Sequence, residues 1–276
     1  MEQYPWIIGR IDTAYEERRE SPKGDPPYPL RISSALMCPR KQTYRRLGYK
    51  GERIDGRTMR IFSVGDIVHD DVRQAIVAAG IEGDIPEEKI DEFSVSIVWD
   101  GEAGKMRVDG HPDGIVHVPE DGVGGECVKA VLEIKTINPN GWRFVLRDGP
   151  KREAIAQASC YAEALGLDWC LFIYYNKGDG SLASFLLPKN KGFVKKAKAG
   201  WEEAYEATAD SLPERPYHPS PERKSGINTG RMVLPWQCAY CDFWKECWGD
   251  KVEAAPAGMR HVLVYKGDAN GQAREN

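Results

Sequence analysis

A chain of 276 residues, 41% hydrophobic and 29% charged, can build a buried core and is neither a disordered nor a fibrous polymer. Its formal charge of -4 excludes a globally basic coat, so any nucleic-acid contact must come from a local patch. The start lacks a basic, apolar leader, and the longest apolar run, 169–175, is far short of the roughly 20 residues of a membrane helix. We therefore expect a cytoplasmic protein without membrane contact, whose seven cysteines are thiols or metal ligands rather than disulfides.

Residues 1–30 are polar, with Pro22, Pro26, Pro27 and Pro29 towards the end, and read as an arm. Ser33 caps a predicted helix over 33–47 that Gly48 ends. Residues 31–60 carry nine Lys and Arg, a candidate phosphate-binding patch or a solvated face. A second helix is predicted over 62–79, with Val64, Val68, Val72 and Ile76 stacked at a spacing of four. The period then falls to two: Phe93, Val95, Ile97 and Trp99 mark a strand, 105–118 its partner, and 127–136 a third strand. Pro150 opens a helix to about residue 165, followed by strands over 169–176 and 181–187 about a Gly178-Asp179-Gly180 turn. Phe193, Ala197, Trp201 and Tyr205 stripe a last helix, ending near residue 212, with Lys195, Lys196 and Lys198 early, against the helix dipole. Residues 213–235 read as a connector, 236–248 as a compact Cys/Trp cluster and 251–276 as a polar tail. The order implies an α/β fold with a central mixed sheet flanked by helices.

Glu133 and Lys135, two apart on a strand, project from one sheet face, with Leu132 and Ile134 on the other. The preceding strand holds Gly110-His111-Pro112-Asp113-Gly114, where Gly and Pro break the ladder and re-aim a side chain. Two carboxylates on adjacent strands can hold Mg²⁺. An amine beside the ion can orient or deprotonate a water and stabilise a phosphate. His69, on the second helix within Gly65-Asp66-Ile67-Val68-His69, would favour Mn²⁺ as well. Gln157 and Tyr161 share one helix face. The order of these four motifs over 65–161 resembles the RecB-type branch of the PD-(D/E)XK nuclease superfamily.

That resemblance implies a restriction-endonuclease-like core in which His69, Asp113, Glu133 and the carbonyl of Ile134 bind Mg²⁺ or Mn²⁺. Lys135 would be the catalytic lysine, and Gln157 and Tyr161 would support the site or touch DNA. The implied activity is an exonuclease on single strands or DNA ends, in recombination, repair, phage DNA metabolism or CRISPR adaptation. Any strand opening would come from a helicase or recombination partner, since the chain has no P-loop. Alternatives are a non-catalytic DNA-binding or scaffolding module of the same fold, or a zinc-stabilised regulator. The presence of Asp113, Glu133 and Lys135 together favours the enzyme.

Cys238-x2-Cys241-x5-Cys247 needs a fourth ligand for a four-coordinate site, and Cys38 can supply it. Spacing suits zinc or an iron–sulfur cluster alike. The pattern is similar to the iron–sulfur staple of AddB-type and CRISPR-adaptation nucleases, which implies a [4Fe–4S] cluster joining the N- and C-terminal parts of a nuclease domain over 31–250. Asp242 stands where such knuckles often have Pro. Cys127, Cys160 and Cys170 read as buried small residues.

Overall fold

The structure, a computed structural model, describes residues 5–20, 28–52, 54–86, 93–102, 104–119, 126–257 and 260–267. The prolines at 22, 26 and 27, the Gly-rich turn at 121–125 and the residues after 267 lie outside them.

The centre is strand β5 (Cys127–Ile137), in which Ala130, Val131, Leu132 and Ile134 are all fully buried. A strand apolar on both faces belongs in the middle of a sheet covered on both sides. β5 pairs antiparallel with β4 (Gly114–Pro119) and parallel with β6 (Trp169–Asn176). β1 (Gly83–Asp84) and β7 (Leu182–Pro188) complete a mixed sheet in the order β1-β4-β5-β6-β7.

On one face lies α3 (Gly56–Ala78), whose Val72 and Ile76 pack on Val116, Leu132 and Ile134. On the other lies α5 (Arg152–Leu165), where Ala154, Ala156, Ala158 and Ala162 keep the helix close to Val131 and Phe172. Trp201 of α6 (Lys191–Glu206) joins the same layer.

Several elements depart from the expectations. The helix over 33–47 divides into a 3-10 turn (Ile32–Ser34) and α2 (Pro39–Arg46), because Leu36 takes φ +59 and Pro39 is tolerated only in a first turn. The strand over 105–118 is two strands, since His111-Pro112-Asp113 interrupts it. β2 (Val95–Gly101) and β3 (Gly104–Gly110) form a separate hairpin, while β4 joins the main sheet. α3 starts six residues before the predicted 62, where the Asp55 side chain accepts from Thr58 N at 2.6 Å.

The arm contains α1 (Pro5–Glu20), held on α3 by polar contacts that leave no apolar period. Arg60 pairs with Asp12, and Gly56 N donates to Glu16 Oε1 at 2.9 Å. A helix the sequence reading missed, α4 (Pro139–Asp148), is capped by Asn138 and opened by Pro139. The connector over 213–235 holds β8 (Ser220–Lys224) and β9 (Ile227–Val233), turned through Ser225 and Gly226 at positive φ. Within the polar tail, β10 (Val252–Ala257) and β11 (Arg260–Tyr265) extend that sheet. These strands escaped notice because most of their side chains are exposed and carry no alternation.

Candidate metal and nucleic-acid site

The strand break carries the site. Gly110 ends β3 where a Cβ would lie 2.7 Å from the ring of Tyr161 and 2.8 Å from Ile32, so only glycine lets that ring pack there. The chain then turns through His111 and Pro112 and delivers Asp113 beside β5. Asp113 Oδ2 accepts from Ile134 N at 2.7 Å. Asp113 Oδ1 meets His69 Nδ1 at 2.9 Å and Arg73 Nη1 at 3.4 Å, both from α3. Burial alone would raise the Asp113 carboxyl. The bond and charge of His69 and the Ile134 amide outweigh it and hold the acid below its usual range. An ionised carboxylate only accepts hydrogen bonds, so His69 Nδ1 is the donor in this contact.

Glu133 is 1% exposed and faces the α5 layer with Lys135, as the two-residue spacing requires. The two form an ion pair, and Lys135 Nζ also donates to Gln157 Oε1 at 3.3 Å. Glu133 Oε2 is buried and has no hydrogen-bond partner. Burial pushes the Glu133 acid up to about 7; Lys135 pulls it down and Asp113 adds to the rise. Burial would lower Lys135, but the adjacent Glu133 outweighs it, and the ammonium is held above its ordinary value. Tyr161 is 2% exposed and its phenol is raised by burial, so it offers no surface to DNA. Ile134 meets Asp113 through its amide.

His69 and Asp113 are thus one contact, and Glu133, Lys135 and Gln157 another. Among the described residues, no group of three or more His, Cys, Asp and Glu side chains is arranged to hold a metal ion. The physical reason is that each acid is engaged by the chain's own side chains: Asp113 by His69 and Arg73, Glu133 by Lys135. Mg²⁺ does not demand three side chains, because one or two carboxylates with water and phosphate oxygens suffice. The buried, unpartnered Glu133 Oε2 and the hard oxygen donors fit such an ion. Arg73, which the sequence reading did not single out, was signalled only by its position four residues after His69.

Cys38, Cys238, Cys241 and Cys247 all line one cavity of about 240 Å³, none of whose walls belongs to the carboxylate site. α7 (Trp236–Ala239) carries Cys238, α8 (Trp244–Trp248) carries Cys247, Cys241 lies between them, and Cys38 precedes α2 at its N-cap position. Burial raises Cys38, Cys238 and Cys241, Cys238 to about 12 and Cys241 to about 11, and the neighbouring sulfurs add to the rise. Cys160 and Cys170 are buried as expected, each pushed up to about 12 by burial. Cys127 is exposed instead, because it opens β5 at the end of its pairing with Pro119.

Much of the basic run proves to be fastening rather than free charge. Arg45 and Lys41 pair with Asp242 at 3.1 and 3.5 Å, Arg40 donates to Pro213 O at 2.8 Å, and Arg46 donates to Ala204 O at 2.9 Å. Tyr44 stacks on Phe243 and donates to Glu246 O. Asp242 is the anchor of this clamp. In α6, Lys198 pairs with Glu163 at 3.4 Å, while Lys195 and Lys196 are exposed.

No family model matches the chain, and no curated protein matches it. Among solved structures it is similar to SSO0001, at 13% identity and a TM-score of 0.51, over 86% of this chain and 94% of that one. The two share a fold. An alkaline exonuclease (LHK-Exo) from Laribacter hongkongensis aligns at 18% identity and a TM-score of 0.36, over 52% of this chain and 66% of that one. Its complex with dAMP aligns at 17% and 0.38, over 64% and 86%. These partial likenesses add nothing to the first.

Proposed function

We propose that the protein is a Mg²⁺- or Mn²⁺-dependent deoxyribonuclease, an exonuclease acting on single strands or DNA ends, with residues 31–250 as its nuclease unit. The observation that carries the reading is that Asp113, held at the strand break on the Ile134 amide, lies within electrostatic reach of a buried Glu133 with an unpartnered oxygen and of Lys135. Asp113, Glu133 and His69 Nε2, with the Ile134 carbonyl, would hold the ion. When bound, it supplies a Lewis acid for the phosphate and a lowered pKa for water.

The chain's own part is positional. Gln157 holds Lys135 at 3.3 Å, and the ammonium offers positive charge and donors to a phosphate oxygen or a water. Because Glu133 keeps it protonated, Lys135 acts as a base only if another cation takes up the charge of Glu133. We read Cys38, Cys238, Cys241 and Cys247 as the ligands of a [4Fe–4S] cluster, with zinc as the lesser alternative. Four thiols around one cavity, with burial opposing the ionisation of Cys38, Cys238 and Cys241, are what a cationic centre would relieve. The role is structural, and a helicase or recombination protein is the partner expected for duplex substrates.

The test is digestion of end-labelled linear and of circular DNA, single- and double-stranded, with Mg²⁺, Mn²⁺ or EDTA. Lys135→Ala should lower the rate on linear strands by about 10²-fold or more with the fold intact. Equal degradation by the wild type and K135A removes the proposed role of Lys135. Binding without any cleavage makes the protein a non-catalytic module.

A further inference from the structure

Arg73 is 4% exposed, one helical turn beyond His69 on the same face of α3. Its Nη1 reaches the same Asp113 oxygen that His69 meets, at 3.4 against 2.9 Å, and its Nη2 pairs with Asp70, three residues earlier. Its Nε is buried with no hydrogen-bond partner. Burying an unsatisfied donor costs about 1–3 kcal/mol, and apolar side chains of similar volume often replace a buried ion pair at no loss of stability. Stability is therefore a poor account of a guanidinium in this place, and its aim is a better one.

We propose that Arg73 is a positioning residue for Asp113. Together, Arg73, His69 and the Ile134 amide take three of the acceptor sites of the carboxylate, so Asp113 is left with one rotamer and one direction of remaining lone pair. Asp70, 43% exposed, fixes the guanidinium from its far side. The planar fork is what allows one side chain to grip two acids, a geometry an ammonium does not reproduce. The inference rests on the reading of Asp113 and Glu133 as ligands of a divalent ion.

The experiment measures Mn²⁺ binding by calorimetry, thermal melting, and steady-state DNA hydrolysis for the wild type, Arg73→Met, Arg73→Lys and Asp70→Asn. Partners that orient a ligand are worth about 10–100-fold in metal affinity. R73M should weaken Mn²⁺ binding by about tenfold or more and lower kcat, with KM for DNA unchanged because the buried side chain touches no phosphate. R73K should fall between R73M and the wild type, and D70N should show a smaller loss of the same kind. A lowered melting temperature with wild-type Mn²⁺ affinity marks a purely structural ion triad and overturns the proposal. If R73M does not fold, wild-type affinity in R73K and D70N overturns it equally. A wild type that binds no Mn²⁺ removes the metal reading and this proposal with it; binding unchanged across all variants removes the proposal alone.

Discussion

Glu133 makes the stability of the metal-stripped protein depend on pH in a direction that can be worked out. Its acid rises from the ordinary 4.5 to about 7 through burial, with only Lys135 strongly opposing. A group whose folded value is raised in this way carries no penalty below its unfolded value, where it is protonated in both states. The penalty grows as pH rises from 4.5 through 7 and is complete above, because folding then confines a charge that the unfolded chain hydrates. At about 1.4 kcal/mol per pH unit, the loss comes to about 3 kcal/mol. For a domain of this size that corresponds to a fall of roughly 6–12 °C in melting temperature.

Asp113 and Lys135 shift in directions that take them out of this window. Asp113 is lowered, so its contribution is present above its unfolded value and is lost only in acid below it. Lys135 is raised, so its contribution is present below its unfolded value and is lost only in strong base. The assay is a melting series in EDTA from pH 4.5 to 8, for the wild type and Glu133→Gln. The glutamine variant removes the titration, so its curve should lie flatter by about that amount, and Mn²⁺ should restore the wild type most at the alkaline end. Parallel curves for the two proteins would refute the reasoning.

Further consequences concern the scaffold. Gly110→Ala places a methyl group against Tyr161 and Ile32, and overpacking of this kind costs about 1–3 kcal/mol, to be read as a lower denaturant midpoint. Protein purified without oxygen should be brown and contain iron and acid-labile sulfide, while Cys238→Ser should be colourless. Asp242→Ala removes the partner of Arg45 and Lys41, at a cost of about 1 kcal/mol in stability, and should speed loss of the colour in air.

The sequence made the central sheet legible because β5 and β6 are apolar runs of strand length, and the alternation in β5 placed Glu133 and Lys135 on one face. The break at His111-Pro112 was visible as chemistry, though not as the boundary between two sheets, since both strands keep a period of two across it. Elements that use polar fastenings instead of an apolar stripe stayed hidden: α1 through Asp12 and Glu16, and the β8–β9 hairpin through Glu222, gripped by Arg231 and Thr229. The basic run misled for a related reason. A run of like charge in sequence says nothing about its partners, and Asp242 is about two hundred residues away from the side chains it holds.

The cysteine cavity and the carboxylate site are separate in space but share a piece of chain. Cys38 lies six residues after Ile32, whose fully buried side chain packs in the layer under Gly110 and Tyr161, next to the break that aims Asp113. Between them Ser34 fixes the segment, its Oγ donating to Gln42 at 2.7 Å and accepting from Trp201 Nε1 at 3.2 Å. The same segment continues into α2, which Asp242 and Phe243 bind to the C-terminal helices. A close-packed interior passes on displacement instead of absorbing it. Whatever holds Cys38 against the C-terminal thiols therefore also holds the floor on which Tyr161 and the strand break rest. A cluster bound at these thiols would thereby steady the strand break that aims Asp113, although the proposed chemistry takes place at other residues.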